Sequence, residues 1–324
     1  MSTMTAIVQD RYGSSDVLRT AQLARPTAGA GEVLLRVHAA GLDRGTWHLM
    51  TGTPYAVRLV TGIRRPRQPV PGKDVAGVVV AVGPAVTRFA AGDEVFGIGI
   101  GTFAGFAVAK EGKLAGKPAG LTFAEAAVVP VSGITALRAV ADTGGVQPGQ
   151  QVLILGASGG VGSYAVQIAK ALGAEVTGVC SAGKADLVRT LGADHVIDYA
   201  GADFADGRRR YDVIIDIAGN PTLARLRRAL TPTGTVVLVG GEGGDRLTGM
   251  NRQLGALARG SVIRQRVALL TVQERAEHIE RLAKLIEAGQ VRPSVDRTYP
   301  LAQAPEAMRQ LEAGAVRGKI AITV

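Results

Sequence analysis

The chain has 324 residues, of which 47% are hydrophobic and 20% charged, with a formal net charge of +10 and one cysteine. That length predicts one or two domains of about 100–200 residues. The lone Cys180 excludes an internal disulfide and a multi-cysteine zinc site, and fits a reducing, cytoplasmic setting. No apolar run approaches the ~18 residues that span a bilayer. Met1–Gly13 lacks a basic region followed by an apolar core, so neither a secretory signal nor a membrane partner is expected. The arginines cluster only briefly, at Arg64–Arg67 and Arg208–Arg210, without interleaved aromatics. A basic enzyme surface explains them better than a nucleic-acid site.

Up to residue 126 the pattern is β-rich. Ala6–Val8, Val33–Ala39 and Val75–Val82 read as strands between glycine turns, and a partly closed barrel is one way to arrange them. The grammar then changes. Strands at Val152–Leu155, Val176–Val179, His195–Ile197, Val213–Ile215 and Val236–Val239 alternate with helical stretches. The helices read as Val161–Leu172, Ala182–Leu191, Pro221–Ala229 and Asn251–Ala258. Such alternation builds a parallel sheet covered by helices. A sixth strand is expected at Ser261–Leu269. Helices at Gln273–Ala288 and Gln303–Ala313 follow, with short strands at Arg297–Pro300 and Lys319–Val324 returning to the first domain.

The densest signal is Gln151–Val179, a strand, glycine turn, helix and strand in succession. The turn carries Gly156, Ser158, Gly159, Gly160, Val161 and Gly162. A helix N-terminus presents unpaired N–H groups and partial positive charge to a pyrophosphate, and glycine lets the backbone approach it. The spacing is not G-x-G-x-x-G, so its weight comes from the flanking strand and helix. A carboxylate ending the second strand would hold the ribose diol of NAD and repel a 2′-phosphate. Here that end reads Cys180-Ser181-Ala182-Gly183-Lys184, and NADPH is favoured. Lys184 also fits an ordinary helix start, Asp186 argues mildly the other way, and Cys180 reads as a packed thiol. Tyr199, ending the third strand, could pack beside an adenosine or lie on a plain surface.

These segments resemble the medium-chain dehydrogenase/reductase superfamily, in its zinc-free, quinone-oxidoreductase-like branch. The match also runs through Gly72-Lys73-Asp74-Val75-Ala76-Gly77, Gly92-Asp93-Glu94-Val95, Gly133-Ile134-Thr135-Ala136, Gly192–Tyr199 and Arg317-Gly318-Lys319. The resemblance implies a Rossmann domain at 127–261, a doubly wound parallel sheet, inserted in a GroES-like catalytic domain at 1–126 and 262–324. It assigns Ser181, Lys184 and Tyr199 to a 2′-phosphate, places Thr135, Gly240 and Gly241 near the nicotinamide, and brings Lys319 to the cofactor. Zinc members carry a cysteine near Gly41-Leu42-Asp43 and a His-Glu pair where this chain has Lys73-Asp74. No metal is therefore implied. The chain departs from its own branch at Asp43, commonly asparagine, and at Thr46, where aspartate is expected.

Without a metal, a saturated ketone lacks a group to stabilise its alkoxide. A quinone or enone spreads that charge itself, so donors and positioning can suffice. Candidate catalytic residues are Tyr55, Asp43 and Lys73, with His48 and Trp47 as further possibilities. Lys73 and Asp74 could instead form an exposed pair of little weight. His38, His195 and His278 have no ligand spacing. The expected protein is a homodimeric NADPH-dependent reductase of small-molecule quinones or α,β-unsaturated carbonyl compounds. The alternatives are an NADP-dependent dehydrogenase of saturated substrates and a low-turnover NADPH-binding sensor.

Overall fold

A computed structural model describes residues 2–217, 221–240 and 264–324. The chain divides into two compact units. One comprises Met1–Ile134, Glu274–Ala288 and Pro293–Val324; the other comprises Thr135–Gln273 and Gly289–Arg292.

The first unit is organised on the strand Glu32–Leu42. One edge pairs antiparallel with Asp74–Val82. The other is shared between Phe106–Lys110 at its start and Lys319–Thr323 at its end. Glu94–Ile98 and then Leu114–Gly116 extend the sheet beyond Asp74–Val82, while Val295–Pro300 extends it beyond Lys319–Thr323. Thr3–Val8 and Arg19–Ala24 form a separate two-stranded ribbon. Apolar faces close over two cores, one around Ile7, Leu42, Phe103, Met308 and Ile322, the other around Val33, Leu35, Val75, Val95 and Leu114. The helix Ala276–Glu287 buries Ile279 and Leu282 one turn apart, and Ala304–Glu312 buries Ala307 and Met308.

Among the described residues the second unit holds six parallel strands in the order His195–Asp198, Glu175–Cys180, Gln151–Leu155, Tyr211–Asp216, Leu230–Leu238, Arg266–Leu269. The chain leaves Gln151–Leu155 in one direction, then returns to build on its other side. The order therefore reverses between Gln151–Leu155 and Tyr211–Asp216, and ligands of open α/β sheets bind outside the strand ends at such a point. The helix Gly160–Ala171 follows the first of these strands and buries Tyr164, Ala165, Val166, Ile168 and Ala169. Leu153, Ile214, Leu226, Leu230 and Val236 form the core beneath the sheet.

The boundaries between the units fall at 134/135 and 273/274 rather than the expected 126/127 and 261/262. The later shift has a direct cause. Arg266–Leu269 pairs in parallel with Thr235–Leu238, so this strand belongs to the six-stranded sheet. The expected helix Asn251–Ala258 and the first residues of the expected strand Ser261–Leu269 lie outside the described residues, as does Gly241.

Candidate functional site

In the second unit the glycine turn is built by backbone bonds. The N–H groups of Gly156 and Ala157 both donate to the Val179 carbonyl, at 3.1 and 3.0 Å, tying the turn to the end of the neighbouring strand. Gly156 has φ +84°, which glycine adopts without steric cost. A Cβ on Gly162 would stand 2.1 Å from the Gly156 carbonyl oxygen and 2.8 Å from Ala157 Cα, so this glycine lets the helix start against the turn. Gly159 differs. Its backbone is extended, φ −86° and ψ 179°, and an added Cβ would meet only the Gly156 oxygen, at 3.4 Å. The protein's own packing gives no reason for glycine there.

That helix start has no side-chain cap and no acidic residue in its first turn. Gly159, Gly160 and Val161 are half-buried, while Ser158 is buried beneath the turn. An open N-terminus of this kind attracts phosphate through its N–H groups and dipole. The residues present fit a dinucleotide pyrophosphate.

Beside the turn, the Tyr199 N–H donates to the Cys180 carbonyl at 3.2 Å, which brings Tyr199 next to the chain at Ser181. Ser181 and Lys184 are half-buried and flank a short 3₁₀ turn, Ala182–Lys184, that Ser181 does not cap through its hydroxyl. Tyr199 is 66% exposed. Burial pushes the Cys180 thiol up, with the nearby Asp198 adding to the shift and Arg189 and Lys184 opposing it. Cys180 is buried and packed. Asp198, which ends the third strand, accepts the Ala200 N–H at 3.1 Å and closes its own turn. Arg189, which no motif singled out, adds a second cation to this rim. Gly240 follows the strand Leu230–Leu238, and Thr135 is a half-buried residue of the helix Pro130–Leu137.

The first unit gathers a different set. Asp74 and Lys319 are buried, and Lys319 Nζ lies 3.7 Å from Asp74 Oδ2 while donating to Ser132 Oγ at 2.9 Å. Asp74 Oδ1 accepts the Val131 N–H at 2.8 Å. Burial pushes the Asp74 carboxyl up to about 7; Lys319 opposes the shift, and the neighbouring Asp43 adds to it. The exposed Lys73–Asp74 pair does not form. Successive strand residues face opposite ways, so Asp74 turns inward while Lys73 joins Glu274, which also accepts from Lys113 at 3.0 Å. These two lysines hold the half-buried Glu274 carboxyl below the usual carboxylate range against the opposing effect of its own burial.

The proposed catalytic residues thus have structural partners. Asp43 Oδ1 accepts the Thr46 N–H at 2.7 Å and caps the helix Arg44–Thr51. The departures at Asp43 and Thr46 belong to one N-cap, although the buried Asp43 Oδ2 and Thr46 Oγ1 find no protein partner. Tyr55 is 45% exposed, with the Arg58 guanidinium 4.8 Å from its ring centre. Trp47 donates its indole N–H to Glu312 at 2.8 Å and packs on a core. His48 is engaged through Nδ1 by the Thr53 carbonyl at 2.6 Å. Ser132 was not foreseen; its partner Lys319 is remote in sequence, and no local pattern links them.

A strand-order switch point beside an open, glycine-rich helix start defines an α/β fold of the nucleotide-binding class. Two family models match, "Alcohol dehydrogenase GroES-like domain" over residues 29–139 and "Zinc-binding dehydrogenase" over residues 191–322. The mouse mitochondrial NAD(P)H oxidoreductase RTN4IP1 is 33% identical over 100% of this chain and 90% of its own length. The chloroplast envelope quinone oxidoreductase homolog of Arabidopsis thaliana is 32% identical over 98% of each chain. The Escherichia coli quinone oxidoreductase, solved with NADPH, superposes with a TM-score of 0.84 at 28% identity, covering 99% of this chain and 100% of that one. The chain belongs to the medium-chain dehydrogenase/reductase family, in its quinone-oxidoreductase-like branch, and has the GroES-like and Rossmann parts of that fold.

Proposed function

We propose that the protein is an NADPH-dependent, zinc-independent reductase of quinones or α,β-unsaturated carbonyl compounds. The observation that carries this reading is the uncapped helix mouth at Gly159–Val161 beside a strand end that offers Ser181 and Lys184 in place of an acid. Gly159, Gly160 and Val161 would hold the pyrophosphate, while Ser181, Lys184 and Arg189 would hold the 2′-phosphate, with Tyr199 against the adenosine. When bound, NADPH supplies a hydride. The residues of this chain bind and orient it; Thr135 and Gly240 are proposed for the nicotinamide end. Among the described residues no three His, Cys, Asp or Glu side chains converge as a metal-ligand set. Substrates that delocalise their own developing negative charge suit such a site. Lys319 is held internally by Asp74 and Ser132, and Tyr55, 45% exposed, is proposed as the proton donor.

The test is a panel of quinones, enones and saturated ketones with NADPH or NADH, after treatment with a chelator. Quinone or enone reduction that prefers NADPH and survives chelation is expected. Equal rates with NADH contradict the cofactor assignment, and loss on chelation contradicts metal independence. The reading includes a homodimer built along Arg266–Leu269, the last strand of its sheet among the described residues. A monomer mass by light scattering across concentrations would remove that part.

A further inference from the structure

The segment from Tyr55 to Arg67 half-buries its supports, Arg58 and Thr61, and displays its apolar side chains. Leu59, Val60 and Ile63 are 71%, 77% and 70% exposed. The backbone beneath them is nonetheless tied down. Tyr12 donates to the Gly62 carbonyl at 2.6 Å, Thr61 Oγ1 to the Val57 carbonyl at 3.0 Å, and the Arg67 N–H to the Thr61 carbonyl at 2.7 Å. Arg58 donates to the Gly52 carbonyl at 2.9 Å, with its guanidinium 4.6 Å from the Tyr12 ring centre. Gly62 turns the chain sharply at φ +121°, where a Cβ would stand 2.1 Å from the Arg65 carbonyl oxygen. The apolar tip is held outward, so little ordering is required when it meets a partner.

Charge identifies that partner. Between Asp43 and Asp74 the sequence contains no acidic residue, and the exposed Arg64, Arg65 and Arg67 follow directly on the apolar tip. A second copy placed face to face would set these arginines against themselves. An acidic peptide would satisfy the charge and leave the aliphatic tip in water. An anionic bilayer surface takes both, with phosphates at the guanidinium groups and the acyl boundary at the three aliphatic side chains. We propose that Leu59, Val60, Ile63, Arg64, Arg65 and Arg67 form a docking patch for anionic phospholipid membranes. The patch adsorbs without spanning, and no helix among the described residues is long and apolar enough to cross a membrane. This revises the expectation of no membrane partner, which read the short Arg64–Arg67 cluster as part of an ordinary basic surface, and it goes beyond the proposed reductase activity.

The test is co-sedimentation of the full chain with vesicles of phosphatidylcholine, alone or containing about one third phosphatidylglycerol, at about 0.15 M salt. Binding to the anionic vesicles alone is expected, weakened about tenfold or more by L59S/V60S/I63S and likewise by R64Q/R65Q/R67Q. The control R208Q/R209Q/R210Q removes equal charge elsewhere and should bind like the parent chain. Each variant's thermal unfolding is measured, and the apolar substitutions should leave it unchanged because those side chains are exposed. Three outcomes overturn the proposal. The first is failure of the parent chain to bind anionic vesicles. The second is a control that loses binding as fully as the patch variants, which assigns the attraction to overall charge. The third is a dimer split by L59S/V60S/I63S in light scattering while vesicle binding persists, which assigns the patch to a second copy.

Discussion

Alanine should cost far more stability at Gly162 than at Gly159, because the fold requires the first glycine while the second is proposed to face a ligand. At Gly162 the added Cβ would sit 2.1 Å from a carbonyl oxygen and below 3 Å from two further backbone atoms, whereas ordinary contact begins at 3.4 Å. The turn or the helix must therefore yield by 3.4 − 2.1 = 1.3 Å. Alanine gains about 1 kcal/mol of helix propensity over glycine, but overpacking against backbone costs about 1–3 kcal/mol or more. Because the clash is with backbone the upper end applies, and a net loss of about 2 kcal/mol with a fall in Tm of about 5 °C follows. At Gly159 the backbone angles are open to alanine and the new contact is ordinary; the gain of about 0.4–1 kcal/mol from a less flexible unfolded chain is offset by alanine's poorer fit at an N-cap, so stability should change by less than about 1 kcal/mol. Its methyl group would nevertheless stand before the helix mouth. Losing one charge-assisted hydrogen bond, about 1.5–3 kcal/mol, weakens NADPH about ten- to hundredfold. Urea unfolding and calorimetric titration of both variants check this. If Gly159→Ala binds NADPH like the parent chain, the phosphate does not rest at this helix and the reasoning fails.

Replacing Ser181 and Lys184 by alanine together should lower kcat/KM for NADPH at least about tenfold while changing that for NADH little, measured as the ratio of the two; equal losses contradict a 2′-phosphate role. Asp74 has a folded pKa raised from 3.8 to about 7, so its proton favours the native state. The stability it contributes is complete below the unfolded pKa and is lost as pH rises through about 7, at most about 1.4 kcal/mol per pH unit. Asp74→Asn should flatten this slope in urea melts between pH 5 and pH 8, and parallel curves for parent and variant would contradict the assignment. Glu274→Gln should release Lys73 and Lys113 and destabilise by no more than about 1 kcal/mol, since all three groups are partly exposed; a larger loss in the same melts would show that Glu274 has a role beyond this pairing.

The sheet of the second unit was legible because its strands are continuous apolar runs separated by helical periods. Each expected strand from Val152 to Val239 matches an observed one, with ends moved by a few residues. In the first unit Arg19–Ala24, Glu94–Ile98, Phe106–Lys110 and Leu114–Gly116 went unnamed. They are short, partly exposed or interrupted by glycine, as at Gly97, and their pairing is set by distant partners. The candidate cofactor residues were readable because turn, helix and strand ends are local. The Asp74–Lys319–Ser132 cluster was not, since burial of a charge depends on which remote side chain comes to meet it. The spacing of Asp43 to Thr46 is that of a helix cap, and the structure shows Oδ1 taking that partner.

Calorimetric titration of the purified, folded chain with NADPH and NADH tests the central claim most directly. One NADPH bound per chain, at least about tenfold tighter than NADH, is the predicted result. Absence of heat with either nucleotide, from protein that unfolds cooperatively, would contradict it.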